Sequence, residues 1–183
     1  RTFPLFSVKY QKHNTTLING VLEGSIHHRM IEPVFDFEKR ITEPVEYGTQ
    51  FIIENKSFFL DAFINWKRMI YKPSLDQEQI LGGASADLTI IKNSNVSLTM
   101  PLQLTIFHQG GQIDVSDVPL QTLVNSAIGL KLKLPLKGFV TALRSENYYV
   151  QYNDLSFTHA QAFSNGGGWF LNNGIDTKYG SLM

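Results

Sequence analysis

Residues 95–109 read NVSLTMPLQLTIFHQ, and their alternation decides the fold class. Leu98, Met100, Leu102, Leu104 and Ile106 fall on one side of an extended chain. Thr99, Pro101, Gln103 and Thr105 fall on the other. A period of two marks a strand with one apolar face. The run is about as long as a strand that crosses a bilayer at a tilt. Pro101 removes one donor from the ladder.

The same pattern recurs on both sides of this stretch. Leu130, Leu132, Leu134 and Leu136 alternate with Lys131, Lys133 and Pro135. Leu60, Ala62, Ile64 and Trp66 oppose Asp61, Phe63, Asn65 and Lys67. Ala84, Ala86, Leu88 and Ile90 oppose Ser85, Asp87 and Thr89. Tyr47, Thr49, Phe51 and Ile53 oppose Glu46, Gln50 and Ile52, and Ile18 to Ile26 repeats the theme. Together they predict about nine strands, near 5–12, 16–26, 46–54, 58–69, 80–91, 96–107, 122–134, 147–157 and 169–178. Residues 116–129 also fit a helix capped by Ser116 and Gly129, but the register running on to Leu136 favours a strand.

The predicted connections alternate between short and long. Residues 13–15, 55–57 and 92–95 are short, whereas 27–45, 70–79, 108–121 and 157–168 are long. Only 135–146, of intermediate length, spoils the rule. Short turns at one end and long loops at the other are the layout of a transmembrane barrel. The sequence therefore predicts one all-β domain over 1–183: an antiparallel up-and-down transmembrane β-barrel, or part of one. A soluble β-sandwich is the alternative, because a half-buried antiparallel sheet alternates in the same way.

Composition agrees. Of 183 residues, 43% are hydrophobic, too many for a disordered chain. Sixteen basic and 16 acidic residues cancel, which gives no electrostatic case for nucleic acid. There is no cysteine, so thiolate metal sites and a cysteine nucleophile are excluded. The first residues, RTFPLFSVKY, hold no apolar signal-peptide core.

In a barrel, the polar faces look into a lumen. That lumen is expected to hold Glu23, Glu46, Gln50, Glu54, Asp61, Asn65, Lys67, Asp87, Gln103, Lys131 and Lys133. Such mixed charge suits a hydrated channel or a salt-bridged, plugged interior. Aromatics at strand ends, namely Phe58, Trp66, Tyr71, Tyr148, Tyr152 and Trp169, suit interfacial girdles. On the sandwich reading, Trp66, Tyr148 and Trp169 would instead serve a soluble carbohydrate-binding module.

Chemical motifs are sparse. His27 or His28 with Glu32, Asp36 or Glu38 matches no metal-ligand spacing. Asp76, Gln77 and Glu78, and Asp114, Ser116 and Asp117, lack the EF-hand spacing and read as turns. Gly166, Gly167 and Gly168 lack the Lys-Ser/Thr of a phosphate loop and read as a loop before a strand. No G-x-S-x-G elbow occurs, and the histidines are His13, His27, His28, His108 and His159. A hydrolase would need His108 or His159 beside a serine on a neighbouring strand. The expectation is a chain with no catalytic residues, metal or cofactor.

The runs FFLDAFINWKRMIY (58–71) and KPSLDQEQI (72–80) resemble porin-like outer-membrane proteins of Bacteroidetes. So do PLQLTIFHQGGQIDVSDVPLQTLVNSAIGLKLKL (101–134) and LEGSIHHRMIEPVFDFEKRITEPVEYGTQF (22–51). The resemblance implies a barrel in the bacterial outer membrane, surrounded by lipid. It further implies a porin-like channel for small hydrophilic solutes or a structural envelope protein as the expected function. An odd strand count and a chain that stops at Met183 rather than at an aromatic residue fit a fragment of a longer barrel.

Overall fold

The computed structural model describes residues 5–24, 27–111 and 113–183. The chain forms one antiparallel sheet in which every strand pairs with the next. The strands are β1 (Ser7–Lys12), β2 (Thr15–Val21), β3 (Tyr47–Glu54), β4 (Phe58–Arg68), β5 (Gln79–Lys92), β6 (Ser97–Gln109), β7 (Gln121–Pro135), β8 (Val140–Asp154), β9 (Asn165–Thr177) and β10 (Ser181–Leu182). The only helix among the described residues is one turn, α1 (Lys39–Thr42). No helix there is long and apolar enough to cross a membrane, which says nothing of crossing by strands. β1 and β10 are the two edges, and the sheet is not closed.

The all-β, up-and-down architecture is as the alternation predicts, with ten strands rather than nine. β8 begins at Val140, not near 147, so the turn before it shrinks to 136–139. The short–long alternation of connections then holds throughout. The start of β8 escapes the hydrophobic pattern because its inward residues are Ala142, Arg144 and Glu146, with Arg144 paired to Asp176 at 2.9 Å. β9 begins at Asn165, so Gly166, Gly167 and Gly168 are strand rather than loop. Glycines carry no side chain to display a period. β2 ends at Val21 because Gly20 and Gly24 take positive φ (103° and 75°) and Leu22 turns into the core. Ser25 and Ile26, expected in that strand, lie outside the described residues.

Pro101 leaves a visible trace. It sits opposite Asp87 of β5, but β6–β7 pairing jumps from Thr99–Lys131 to Leu102–Ile128. The missing N–H removes the rung between them.

Cross-strand partners share a face, so the register sorts every side chain. One face carries Gln50, Asp61, Ser85, Gln103, Ala127 and Tyr148; the other carries Phe51, Ala62, Leu102, Ile128 and Tyr149. The first face is concave, since residues 22–24 and 27–46 reach β4, β5, β7 and β8 at once. Met30, Val34 and Phe35 of that segment join Phe63 of β4, Leu81 of β5, Ala127 of β7 and Tyr148 of β8 in one core. Each large apolar side chain so buried contributes about 1.5–3 kcal/mol. Polar clasps fix the segment: Gln103 Oε1 accepts from Ile31 N (2.9 Å), and its amide donates to Arg29 O (3.0 Å). Thr105 Oγ1 donates to Val34 O at 2.9 Å. The other face leaves Leu104, Ile106, Leu130, Trp169 and Leu171 exposed.

Candidate active site

Two histidine clusters stand out. The first is buried under the 22–46 segment. His28 Nδ1 lies 2.9 Å from Asp61 Oδ2, and Nε2 lies 3.1 Å from Glu46 Oε2. Gln50 donates to the same Asp61 oxygen at 2.9 Å, and its carbonyl accepts from Glu23 N. His28, Gln50 and Asp61 have no solvent exposure. The imidazole stacks on Phe63 at 3.7 Å between ring centroids. Burial alone would push the His28 pKa down, but hydrogen bonds and charge from Asp61 and Glu46 outweigh it. The net shift is upward, favouring an imidazolium between two carboxylates. Both ring nitrogens are engaged, so this group holds the segment and has no face left for a substrate.

Of the residues expected in a lumen, Gln50, Glu54, Asp61, Asn65, Asp87, Gln103, Lys131 and Lys133 share the concave face by register. Lys67 pairs with Glu43 at 2.8 Å. Glu23 and Glu46 belong to the segment that covers that face. Lys131 bonds Asp87 at 3.0 Å. Asn65 and Gln103 are buried as well. His28 partners Asp61 and Glu46 rather than Glu32, Asp36 or Glu38, and no cluster able to hold a metal occurs among the described residues.

The aromatic expectation needs correction at two positions. Tyr148 lies on the concave face, 1% exposed, between Gly129 and Phe170. Tyr152 shares that face, opposite Asn125 and Gly166. Hydrophobic content alone does not show which way a tyrosine points; strand parity does. Phe58 and Trp66 lie on the opposite face with Leu88 and Ile80, Trp169 is 72% exposed on that face, and Tyr71 is 85% exposed in a loop.

The second cluster sits at the end bearing the long loops. Asp154 closes β8, and its side chain is fully buried. Its Oδ1 accepts from Ser156 N at 2.9 Å. Oδ2 has no hydrogen-bond partner and faces His159 Nδ1 at 3.5 Å. His159 is half exposed. Asp154 N donates to Ser164 O at 2.7 Å, which pins Ser164 across the mouth of the same loop. Asn165 Nδ2 lies 3.4 Å from Ser164 Oγ. Beside them lies a cavity of about 440 Å³ lined by Leu123, Tyr152, Gln161, Ala162, Phe163 and Asn165.

This cluster connects to the other loop-end histidine. Ser156 Oγ accepts from Thr122 N, and Leu155 N donates to Thr122 O. The Thr122 hydroxyl meets His108 Nδ1 at 2.9 Å. His108 thus pairs with a threonine, and His159 with a carboxylate beside two serines. A carboxylate that fixes one imidazole nitrogen leaves the other free as a general base. A mostly apolar cavity at its side suits a hydrocarbon chain. No sequence motif announces this set, because the Asp154–His159 pair and the backbone bond from Asp154 to Ser164 are made by a returning loop.

No curated protein matches the chain, and no solved structure matches it. The lipid A 3'-O-deacylase-type family matches along residues 1–183. That family is named for an enzyme, which overturns the expectation of a chain without catalysis. The whole chain therefore belongs to the lipid A 3'-O-deacylase-type family.

Proposed function

We propose that the protein is an outer-membrane ester hydrolase that removes an acyl chain from lipid A, rather than a porin-like channel. The observation that carries this reading is the buried Asp154 carboxylate. One of its oxygens has no hydrogen-bond partner and lies 3.5 Å from His159 Nδ1, its backbone N–H bonds the Ser164 carbonyl, and a mostly apolar cavity is lined by the residues flanking Ser164, Phe163 and Asn165. The outward face, apolar along β6, meets the membrane, and the loop end meets the lipid headgroups. The filled concave face argues against passive solute flow.

In the proposed reaction, Asp154 holds His159 through Nδ1. The imidazole Nε2 takes the Ser164 hydroxyl proton as Oγ attacks the ester carbonyl. The C–O bond to the sugar then breaks, and His159 returns the proton to the leaving alkoxide. Water, activated by the same imidazole, releases the fatty acid and regenerates Ser164. The cavity at Phe163 receives the acyl chain. Interactions of this kind contribute about 10²–10⁴-fold each to rate.

The test is mass spectrometry of lipid A incubated with detergent-solubilised protein. Wild type is expected to release one hydroxyacyl chain. Ser164→Ala, His159→Ala and Asp154→Asn are each expected to lose at least about 100-fold in rate. Wild-type rates in the Ser164 and His159 variants would move the chemistry elsewhere, with His108 and Thr122 next to be substituted.

A further inference from the structure

The outward face of the sheet is not uniform. β6 presents Leu98, Met100, Leu102, Leu104 and Ile106 outward, while β8 presents Leu143, Ser145, Asn147, Tyr149, Gln151 and Asn153. Where the two characters meet, a groove of about 340 Å³ opens on the outward side. Leu102, Leu104, Ile128 and Ala84 supply its apolar wall, and Ser126, Tyr149 and Gln151 its polar edge. Ser126 and Gln151 are direct cross-strand partners.

Tyr149 frames one side. Its ring meets Trp169 edge-on at 5.5 Å. Its hydroxyl lies 2.7 Å from where a Cβ on Gly167 would stand. The bare Gly167 lets Tyr149 lean over β9. Neither the Ser126 hydroxyl nor the Gln151 amide has a hydrogen-bond partner among the described residues. A polar group facing hydrocarbon without a partner is costly, and nothing in a lipid tail can satisfy it. Whatever fills the groove must therefore bring hydrocarbon to Leu102 and Leu104 and a hydrogen-bonding group to Ser126 and Gln151.

We infer that this groove is a lipid-binding site. It holds one acyl chain along β5–β7 and hydrogen-bonds the ester or amide that links the chain to its headgroup. The site lies on the face opposite Asp154 and is separate from the hydrolytic cluster. The inference rests on the reading that the outward face lies in lipid. A second protein copy is less suited, because it would have to match both the apolar wall and the two isolated polar groups.

The test uses single-tryptophan proteins in phosphatidylcholine vesicles. The groove reporter carries Tyr149→Trp with Trp66→Phe and Trp169→Phe. The reference keeps Trp66 on the outward face of β4 and carries Trp169→Phe. Dibromoacyl phosphatidylglycerol is added at low mole fraction, so that bulk lipid quenches little. The groove reporter is expected to lose clearly more emission than the Trp66 reference. Adding Ser126→Val and Gln151→Leu to the groove reporter is expected to bring that loss down to the reference level. Equal quenching of the two proteins without those changes would overturn the groove. So would a dimer by light scattering with the indole at position 149 shielded from the brominated lipid. If Trp66 is not quenched even in fully brominated vesicles, the membrane reading fails and the groove fails with it.

Discussion

His28 shows what a single residue can decide. Its ring has no exposure and bridges Asp61 and Glu46, with Gln50 completing the set. Replacing it by Gln keeps the shape but leaves two buried carboxylates without a cation. Breaking a buried pair in this way costs about 3–5 kcal/mol. A lower denaturation midpoint in detergent is the expected outcome, and an unchanged one would mean the cluster carries no net stability. The sign of the pH dependence follows from the raised pKa. A histidine held above its unfolded value of about 6.5 stabilises fully below that pH and progressively less as pH rises through the folded value. The gap between wild type and His28→Gln should therefore be widest near about pH 6 and narrow toward alkaline pH. A gap that widened with pH would contradict the imidazolium assignment.

At the scale of one strand, β7 and β8 fit because a glycine yields to a tyrosine. A Cβ on Gly129 would stand 2.4 Å from the Asn147 carbonyl and 2.7 Å from the Tyr148 ring. Tyr148 occupies that space in the core. Gly129→Ala must shift backbone or ring and is expected to cost about 1–3 kcal/mol. Gly168→Ala, with nothing within 4 Å of its Cβ, is expected to be neutral or to stabilise by about 0.4–1 kcal/mol. Urea unfolding of the two variants separates the cases. Equal effects would show that strand propensity, not the close approach, governs these positions. The aromatic pattern of β8 also divides here: Tyr148 and Tyr152 turn inward, and Tyr149 turns outward.

For the whole molecule, the segment 22–46 sets the character of the concave face. It is clasped by Gln103 and Thr105 and anchored by Met30, Val34 and Phe35. Reconstituted in planar bilayers, the protein is expected to show no steady conductance. Gln103→Leu with Thr105→Val removes the clasps and loosens the segment, so trypsin should cut at Arg29, Lys39 and Arg40 sooner than in wild type. A steady open pore in the wild type would restore the channel reading.

The sequence by itself determined the class of fold and most of its strands. Hydrophobic alternation is a local property, and one apolar face is visible wherever the other is polar, as in β6. It failed where that contrast vanishes: in the charged start of β8 and in the glycines of β9. The inward and outward residues followed from the same alternation, so the polar set from Gln50 to Lys133 was legible as one face. Only the tertiary structure decided what covers that face. The folding of 22–46 onto β4–β8 depends on contacts between residues far apart in the chain, such as His28 with Asp61 and Ile31 with Gln103. It likewise decided that His159 faces Asp154 and that the Ser164 carbonyl takes the Asp154 N–H, because a loop returning on itself brings together residues whose spacing forms no motif.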